Sequence, residues 1–210
     1  MAERGLTELQ VEVLSMFFEL PESEGFVLAG GAALVASGLS TRPTEDVDLF
    51  SAASSIEWAG DALEAALVGR GWRLERIQAS DTFRRLHLRT DVGDELLIDL
   101  ARDSGPLGEV ATTPVGPTYP AVELAARKVL ALFGRAALRD FVDVAHLCEQ
   151  FDRDDLLRLA SEIDAGFDRA VFRVMLESVD RFTDDEIRPS DPDELRSFFR
   201  GWAAALVAEA

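Results

Sequence analysis

Two short motifs near the start of the chain constrain its fold more than any other feature. The apolar run Phe26–Ala29 ends in the glycine pair Gly30 and Gly31, and further on Asp46 and Asp48 flank a single valine. Residues two apart in a strand point to the same face, so both carboxylates project together from Cα atoms about 6.6 Å apart. The pattern predicts a strand, a tight turn into a short helix, and a second strand that carries two acidic groups.

Two carboxylates held this close need a positive partner. With charged oxygens about 4 Å apart they repel by about 1 kcal/mol in water and about 4 kcal/mol when partly desolvated. Hard oxygen ligands suit Mg²⁺ or Mn²⁺, and Mg²⁺ is commonly held by one or two carboxylates together with substrate phosphates. Backbone N–H groups at a helix N-terminus attract anions, which is the role predicted for Gly30 and Gly31. The two motifs together predict a site that binds a metal ion and a nucleotide for phosphoryl or nucleotidyl transfer.

A longer set of residues carries a family resemblance. Gly30-Gly31, Ser40–Thr44 and Asp46–Leu49 resemble the signature of the DNA polymerase β-like nucleotidyltransferases, and more narrowly that of their AbiEii/AbiGii abortive-infection toxin branch. The stretch Glu123–Leu147 is also similar to that branch, so the resemblance covers residues 24–148. It implies an α+β fold in which helices flank a mixed β-sheet core and a helical C-terminal bundle follows.

One position departs from the pattern of the superfamily. Many members have a serine directly after the glycine pair, whereas this chain has Ala32. Phosphate contacts would then come from backbone N–H groups or from hydroxyls such as those of Ser37 or Thr44. Thr44 is therefore a predicted nucleotide-binding residue.

A third acidic group is expected from the apolar stretch at residues 95–101. Alternation places Asp99 on the face opposite its apolar neighbours, and an aspartate buried there is costly unless it is paired or bound to a metal ion. The resemblance implies a third carboxylate from a neighbouring strand, and Asp99 matches that position. It would complete the metal site and act as the base on the attacking hydroxyl. An ion pair with an arginine is the alternative role, and Asp94 and Asp103 are the other acidic candidates.

The chain changes character after a segment rich in glycine and proline. This glycine- and proline-rich segment is residues 103–120, and it predicts a hinge that contains a short strand at Glu109–Val115. From Ala121 onward the apolar residues recur with a helical period. We expect a nucleotidyltransferase core domain at residues 1–118 and a helical domain at residues 119–210.

Basic side chains of the second half form a second predicted site. The resemblance implies that Lys128 holds the triphosphate, that Arg139 assists it, and that Asp140 or Asp143 orients it. Lysine is a compact charge suited to phosphate, and arginine grips phosphate with two parallel hydrogen bonds. The alternative is a set of ion pairs within the helices, each worth only a few tenths of a kcal/mol when exposed.

Charge and cysteine content limit the partners and the compartment. The formal net charge of −18 would repel nucleic acid unless a local basic patch overrides it, and it suits a basic partner protein. The single cysteine, Cys148, excludes an internal disulfide, which fits a reducing compartment. No signal segment and no membrane-spanning apolar run is visible in the sequence. We therefore expect a cytoplasmic protein.

The sequence thus predicts a metal-dependent nucleotidyltransferase that moves a nucleoside monophosphate from a nucleoside triphosphate to a hydroxyl. The resemblance implies a toxin of a toxin–antitoxin or phage-defence system, with a cognate antitoxin and with the 3′ end of tRNA as acceptor. Three alternatives stay open: a small-molecule enzyme of the antibiotic-modifying kind, a protein-modifying enzyme, and a non-catalytic nucleotide-binding module. The last would be favoured if Asp99 pointed away from Asp46 and Asp48.

Overall fold

The computed structural model describes residues 5–208 of the chain, which divide into two compact units at residues 1–121 and 122–210. The first unit is built on a seven-stranded sheet in the order β3-β4-β5-β2-β1-β7-β6. Its strands are β1 Phe26–Ala29, β2 Asp46–Ser51, β3 Arg73–Ala79, β4 Phe83–Arg89, β5 Glu95–Arg102, β6 Ala111–Thr113 and β7 Gly116–Thr118.

The sheet is mixed in direction. β2 pairs with β5 and β1 pairs with β7 in parallel, whereas the other neighbours are antiparallel. The helices of this unit are α1 Glu8–Phe18, α2 Gly30–Ala36 and α3 Ile56–Gly69. The predicted α+β class with a mixed sheet is confirmed.

One face of the central strands is apolar and covered. Alternate residues of β2, β4 and β5 are fully buried on it: Val47, Leu49, Leu86, Leu88, Ile98 and Leu100. Helix α3 packs against β3, β4 and β5, and α1 packs against α3. Because side chains alternate along a strand, the other face of these strands carries the polar residues Asp46, Asp48 and Asp99.

Local signals explain where the helices of this unit begin. Thr7 and Gln10 form the capping box that their spacing predicts: the Gln10 backbone N–H donates to Thr7 Oγ1 over 3.1 Å, and the Thr7 backbone N–H donates to Gln10 Oε1 over 2.8 Å. The Ser55 side chain caps α3 by accepting from the backbone of Trp58. Helix α2 begins directly at the glycine pair after β1, as the sequence predicts.

The predicted strand at Glu109–Val115 is wrong in its bounds. The segment instead forms a hairpin of two three-residue strands, β6 and β7, and the second of these extends the sheet beside β1. The turn needs Gly116, whose φ of 137° is costly for any residue with a Cβ. The Thr118 hydroxyl donates to the Leu28 carbonyl over 2.8 Å, which fixes β7 at this edge.

The second unit is helical within its described residues. Its elements are α4 Ala121–Arg135, α5 Leu138–Leu147, α6 Arg153–Ile163, α7 Arg169–Glu177, α8 Asp184–Ile187 and α9 Pro192–Ala208. Its core is aromatic, with the rings of Phe141, Phe172, Phe199 and Trp202 in edge or stacked contacts. None of the helices within residues 5–208 combines the length and the apolar composition that crossing a bilayer requires.

Helix α5 begins at Leu138, after a turn at Ala136 and Ala137. Ala136 has a φ of 45°, in the left-handed region, and Ala137 is extended at the N-cap of α5. The buried Ala136 thus makes the turn between α4 and α5 that glycine usually makes at a helix end. The turn separates the two helices that carry the predicted basic and acidic residues of this unit.

Candidate active site

The three predicted carboxylates of the first unit lie on one face of two neighbouring strands. In the parallel register of β2 and β5, Asp48 is the partner of Asp99, and Asp46 is the partner of Leu97. Paired residues of neighbouring strands point to the same side of a sheet, and Asp46 and Asp48 are two residues apart. Asp99 therefore faces the same side as Asp46 and Asp48, which answers the question that the sequence leaves open.

Asp99 is held by an arginine on the next strand. Arg85 of β4 is the antiparallel partner of Asp99, and its guanidinium donates twice to the carboxylate, from Nε to Oδ1 over 2.8 Å and from Nη2 to Oδ2 over 2.5 Å. The Asp99 side chain is only 9% exposed, whereas that of Arg85 is 42% exposed. The arginine pairing that the sequence offers as the alternative for Asp99 is thus present.

Arg85 lies close to the other two carboxylates as well. The hydrogen bonds that Arg85 donates to Asp99 raise the pKa of its guanidinium, and the negative charges of Asp99, Asp48 and Asp46 raise it further. Sequence reasoning missed Arg85 as a member of the site. Its place on the solvent-facing side of β4 could be read from the alternation of residues 83–89, but its partner depends on the strand register.

Gly30 lies directly against the Asp48 carboxylate. Its φ is +62°, and a Cβ at this position would lie 1.7 Å from Asp48 Oδ2. A Cβ at Gly31 would lie 2.8 Å from Thr44 Oγ1. Both glycines are therefore required by close approach, and the backbone of the turn borders the two acidic residues of β2.

Thr44 positions Asp46. The Thr44 hydroxyl donates to Asp46 Oδ1 over 2.9 Å, and its carbonyl accepts from the Gln10 side-chain amide over 2.8 Å. Thr44 and Gln10 are both buried, so these hydrogen bonds hold the residues before β2 firmly to α1. The predicted contact of Thr44 with a nucleotide stays a prediction, while Ser37 lies at the far end of α2 from the glycine pair.

The donor chemistry fits a hard divalent cation at Asp46 and Asp48. Both are carboxylates on one strand face, and Mg²⁺ is commonly held by one or two carboxylates with phosphate oxygens. Within residues 5–208 no three acidic, histidine or cysteine side chains converge in the geometry of a metal site. Both oxygens of Asp99 accept from Arg85, and the three-carboxylate site stays a prediction.

The second unit contains a buried cluster of charged residues on α4 and α5. Lys128 Nζ lies 3.1 Å from Asp143 Oδ2 and 3.6 Å from Asp140 Oδ1. Arg135 donates to both oxygens of Asp140 over 2.8 and 2.9 Å. Lys128, Asp140 and Asp143 are buried, and buried charges are tolerated only when they pair with opposite charges. Arg139 lies beside Asp140 in the sequence with its side chain exposed.

Comparison with known proteins assigns the chain to a family. A family model described as nucleotidyl transferase AbiEii toxin, type IV TA system, matches residues 12–208. The chain belongs to this family. The resemblance stated from the motifs is confirmed, and it extends from residues 24–148 to nearly the whole chain. This AbiEii-family protein is a nucleotidyltransferase of a toxin family.

Solved structures share its fold at low sequence identity. JHP933 from Helicobacter pylori is 15% identical, with a TM-score of 0.62 over 98% of this chain and 94% of that one. The nucleotidyltransferase toxin MenT4 from Mycobacterium tuberculosis H37Rv is 18% identical, with a TM-score of 0.63 over 95% of this chain and 82% of that one. Comparison with curated protein sequences gives no match.

Proposed function

We propose that this protein transfers a nucleoside monophosphate from a nucleoside triphosphate to a hydroxyl group in a metal-dependent reaction. The observation that carries the proposal is the placement of Asp46, Asp48 and Asp99 on one sheet face, with the Gly30 backbone against Asp48. Asp46 and Asp48, with Asp99 as the third ligand, would hold Mg²⁺ or Mn²⁺. When bound, this ion neutralises the charge on the phosphate oxygens and polarises them.

Asp99 would serve as the base in the transfer. The acceptor oxygen forms a bond to the α-phosphorus, the bond from that phosphorus to the bridging oxygen breaks, and pyrophosphate leaves. The proton of the acceptor hydroxyl passes to the Asp99 carboxylate. Thr44 keeps Asp46 in one orientation through its hydrogen bond, so that one acidic group is fixed before substrate binds.

Two phosphate-binding elements are proposed, one in each unit. Gly30 and Gly31 allow a phosphate to approach the backbone N–H groups closely. By the family resemblance, Lys128 holds the triphosphate, Arg139 assists it, and Asp143 orients Lys128 through the 3.1 Å contact. On this proposal, residues 1–118 form the nucleotidyltransferase core domain and residues 119–210 form the helical domain.

The proposed acceptor is the 3′ end of tRNA, and the proposed setting is a cytoplasmic toxin–antitoxin pair. A match to a type IV toxin family supports a cognate antitoxin. The net charge of −18 favours an antitoxin with a basic surface, because opposite charges speed association.

The same charge favours one second candidate. A surface of −18 repels tRNA phosphates but attracts a small cationic acceptor. A small-molecule nucleotidyltransferase would use the same carboxylates and would need no RNA. A protein acceptor is tested by the same experiment.

The experiment incubates the purified protein with each of four α-³²P-labelled nucleoside triphosphates, Mg²⁺ and total bacterial tRNA. The Asp48→Asn variant removes one charge with little change of shape, and Asp94→Asn, outside the three-carboxylate face, is the matched control. Label in the tRNA band that is lost in Asp48→Asn and kept in Asp94→Asn supports the proposal and identifies the base. Label only in a small molecule or a protein band rejects the tRNA acceptor and keeps the transfer chemistry.

A further inference from the structure

Arg85 is placed between solvent and the most buried carboxylate of the site. Its partner Asp99 is the residue opposite it on β5, and Asp48 is the residue opposite Asp99 on β2. The three side chains therefore form a row across neighbouring strands on one face of the sheet. At one end of the row, the Arg85 guanidinium donates to both carboxylate oxygens of Asp99.

The two members of this pair differ in their freedom to move. The Asp99 side chain is 9% exposed and short, so it has little room to rotate. The Arg85 side chain is 42% exposed and long, and its guanidinium lies 5.6 Å from the ring centre of Phe83. A cation that takes over Asp99 would therefore displace the guanidinium toward solvent, where water and the face of the Phe83 ring stabilise it.

Charge also favours such an exchange. Asp46, Asp48 and Asp99 are three acidic side chains on one sheet face, and Arg85 pairs with Asp99. A divalent ion at Asp46 and Asp48 gains more from a third carboxylate than from a neighbouring guanidinium, which it repels. Metal ion and Arg85 thus compete for the oxygens of Asp99.

We propose that Arg85 is a resident counter-ion that holds Asp99 until a divalent metal ion displaces it. Arg85 is then a positioning residue that sets the metal concentration at which the third carboxylate enters the site. This inference rests on the proposed function only in taking Asp99 as a metal ligand. The nucleotide, the acceptor and the transfer step play no part in it.

The test is a titration of the nucleotide-free protein with Mn²⁺, in which free Mn²⁺ is measured by electron paramagnetic resonance. Arg85→Gln removes the competitor, and we expect its Kd for Mn²⁺ to fall by about tenfold or more, since two charge-assisted hydrogen bonds no longer oppose binding. Arg85→Lys keeps the charge but loses the paired hydrogen bonds of the guanidinium. Its Kd for Mn²⁺ should lie between those of the wild type and Arg85→Gln.

Arg89→Gln is the matched control. Arg89 lies on the same face of the same strand and pairs with Glu95 over 2.6 Å, away from the three carboxylates. Its removal changes the net charge by the same amount, and screening should limit the effect on Mn²⁺ affinity to about twofold at 0.1 M salt. A circular dichroism spectrum of each variant confirms that it is folded.

A second variant, Asp99→Asn, completes a double-mutant cycle with Arg85→Gln. In the Asp99→Asn protein, Arg85→Gln should raise Mn²⁺ affinity by a clearly smaller factor than it does in the wild type, because the contested oxygens are gone and only the repulsion between Arg85 and the ion is removed. Unchanged or weaker Mn²⁺ binding in Arg85→Gln would overturn the proposal, and so would an equal gain in the absence of Asp99. Because the titration contains no nucleotide, its result can be interpreted even if the labelling experiment shows no transfer.

Discussion

Gly30 and Asp48 touch so closely that no other residue fits at position 30. A Cβ there would lie 1.7 Å from Asp48 Oδ2, and the backbone already has a φ of +62°. This relationship joins the two motifs from which the sequence predicts a site. The turn between β1 and α2 therefore borders the acidic residues of β2.

Gly30→Ala should abolish nucleotide transfer and destabilise the protein. The left-handed backbone costs a residue with a Cβ about 1–2 kcal/mol, and the new methyl group forces the Asp48 carboxylate out of place. Gly38→Ala is the matched control, since Gly38 has a φ of +72° with open space around it. It should lower the melting temperature and leave transfer intact. Equal activity in both variants would contradict the close contact at Asp48.

Thr44→Val should reduce transfer with little loss of stability. The variant keeps the shape of the buried side chain and removes the hydroxyl that donates to Asp46 over 2.9 Å. We expect about a tenfold fall in kcat/KM, the kinetic equivalent of about 1.4 kcal/mol, because Asp46 loses its fixed orientation. Thr44→Ser, which keeps the hydroxyl, should retain activity. Transfer at the wild-type rate in Thr44→Val would show that Asp46 needs no such support.

Lys128→Met should destabilise the helical unit. It leaves the buried carboxylates of Asp140 and Asp143 with one positive partner fewer, and breaking a buried pair costs about 3–5 kcal/mol. Arg158→Met breaks an exposed pair with Glu162 and should cost far less stability, because water screens that pair. Urea unfolding of both variants measures the difference. Similar losses would contradict the buried cluster on α4 and α5.

Cys148 should make stability fall in alkaline solution. Burial raises the pKa of its thiol from 9.0 to about 11, so the folded protein keeps this proton where the unfolded chain has lost it. The resulting stability is fully present below about pH 9 and is lost as the pH rises to about 11. Urea unfolding of wild type and Cys148→Ala from pH 8 to 11 should give curves that converge at high pH. Parallel curves would show that partial burial does not hold the proton of the Cys148 thiol.

The thiol should also react slowly in the native protein. At pH 8 the thiolate, which is the reactive form, is about a hundred times scarcer at a pKa of about 11 than at 9. Alkylation by iodoacetamide should therefore speed up sharply when the protein is unfolded in urea. A native rate equal to the unfolded rate would show that Cys148 is exposed.

Much of the site could be predicted because its motifs are local in sequence. The alternation of residues 95–101 places Asp99 opposite its apolar neighbours, and the glycine pair marks the start of α2. These features depend on single strands and turns, whose period is visible in the residues. The same holds for the capping box of Thr7 and Gln10.

The partners across the fold could not be predicted in the same way. Whether Arg85 or another arginine meets Asp99 depends on the register between β4 and β5, which no local pattern fixes. The hydrogen bond from Gln10 to the Thr44 carbonyl joins residues 34 positions apart. The β6–β7 hairpin was hidden because strands of three residues are too short to show a period.

Asp46 and Asp48 are proposed to support transfer of a nucleoside monophosphate. The most direct measurement compares α-³²P- and γ-³²P-labelled forms of the nucleoside triphosphate that labels an acceptor, with and without Mg²⁺, in wild type and Asp48→Asn. We expect acceptor label from the α-phosphate alone, released pyrophosphate from the γ-label, and neither product without Mg²⁺ or in Asp48→Asn. Acceptor label from the γ-phosphate, or full activity in Asp48→Asn, would contradict it.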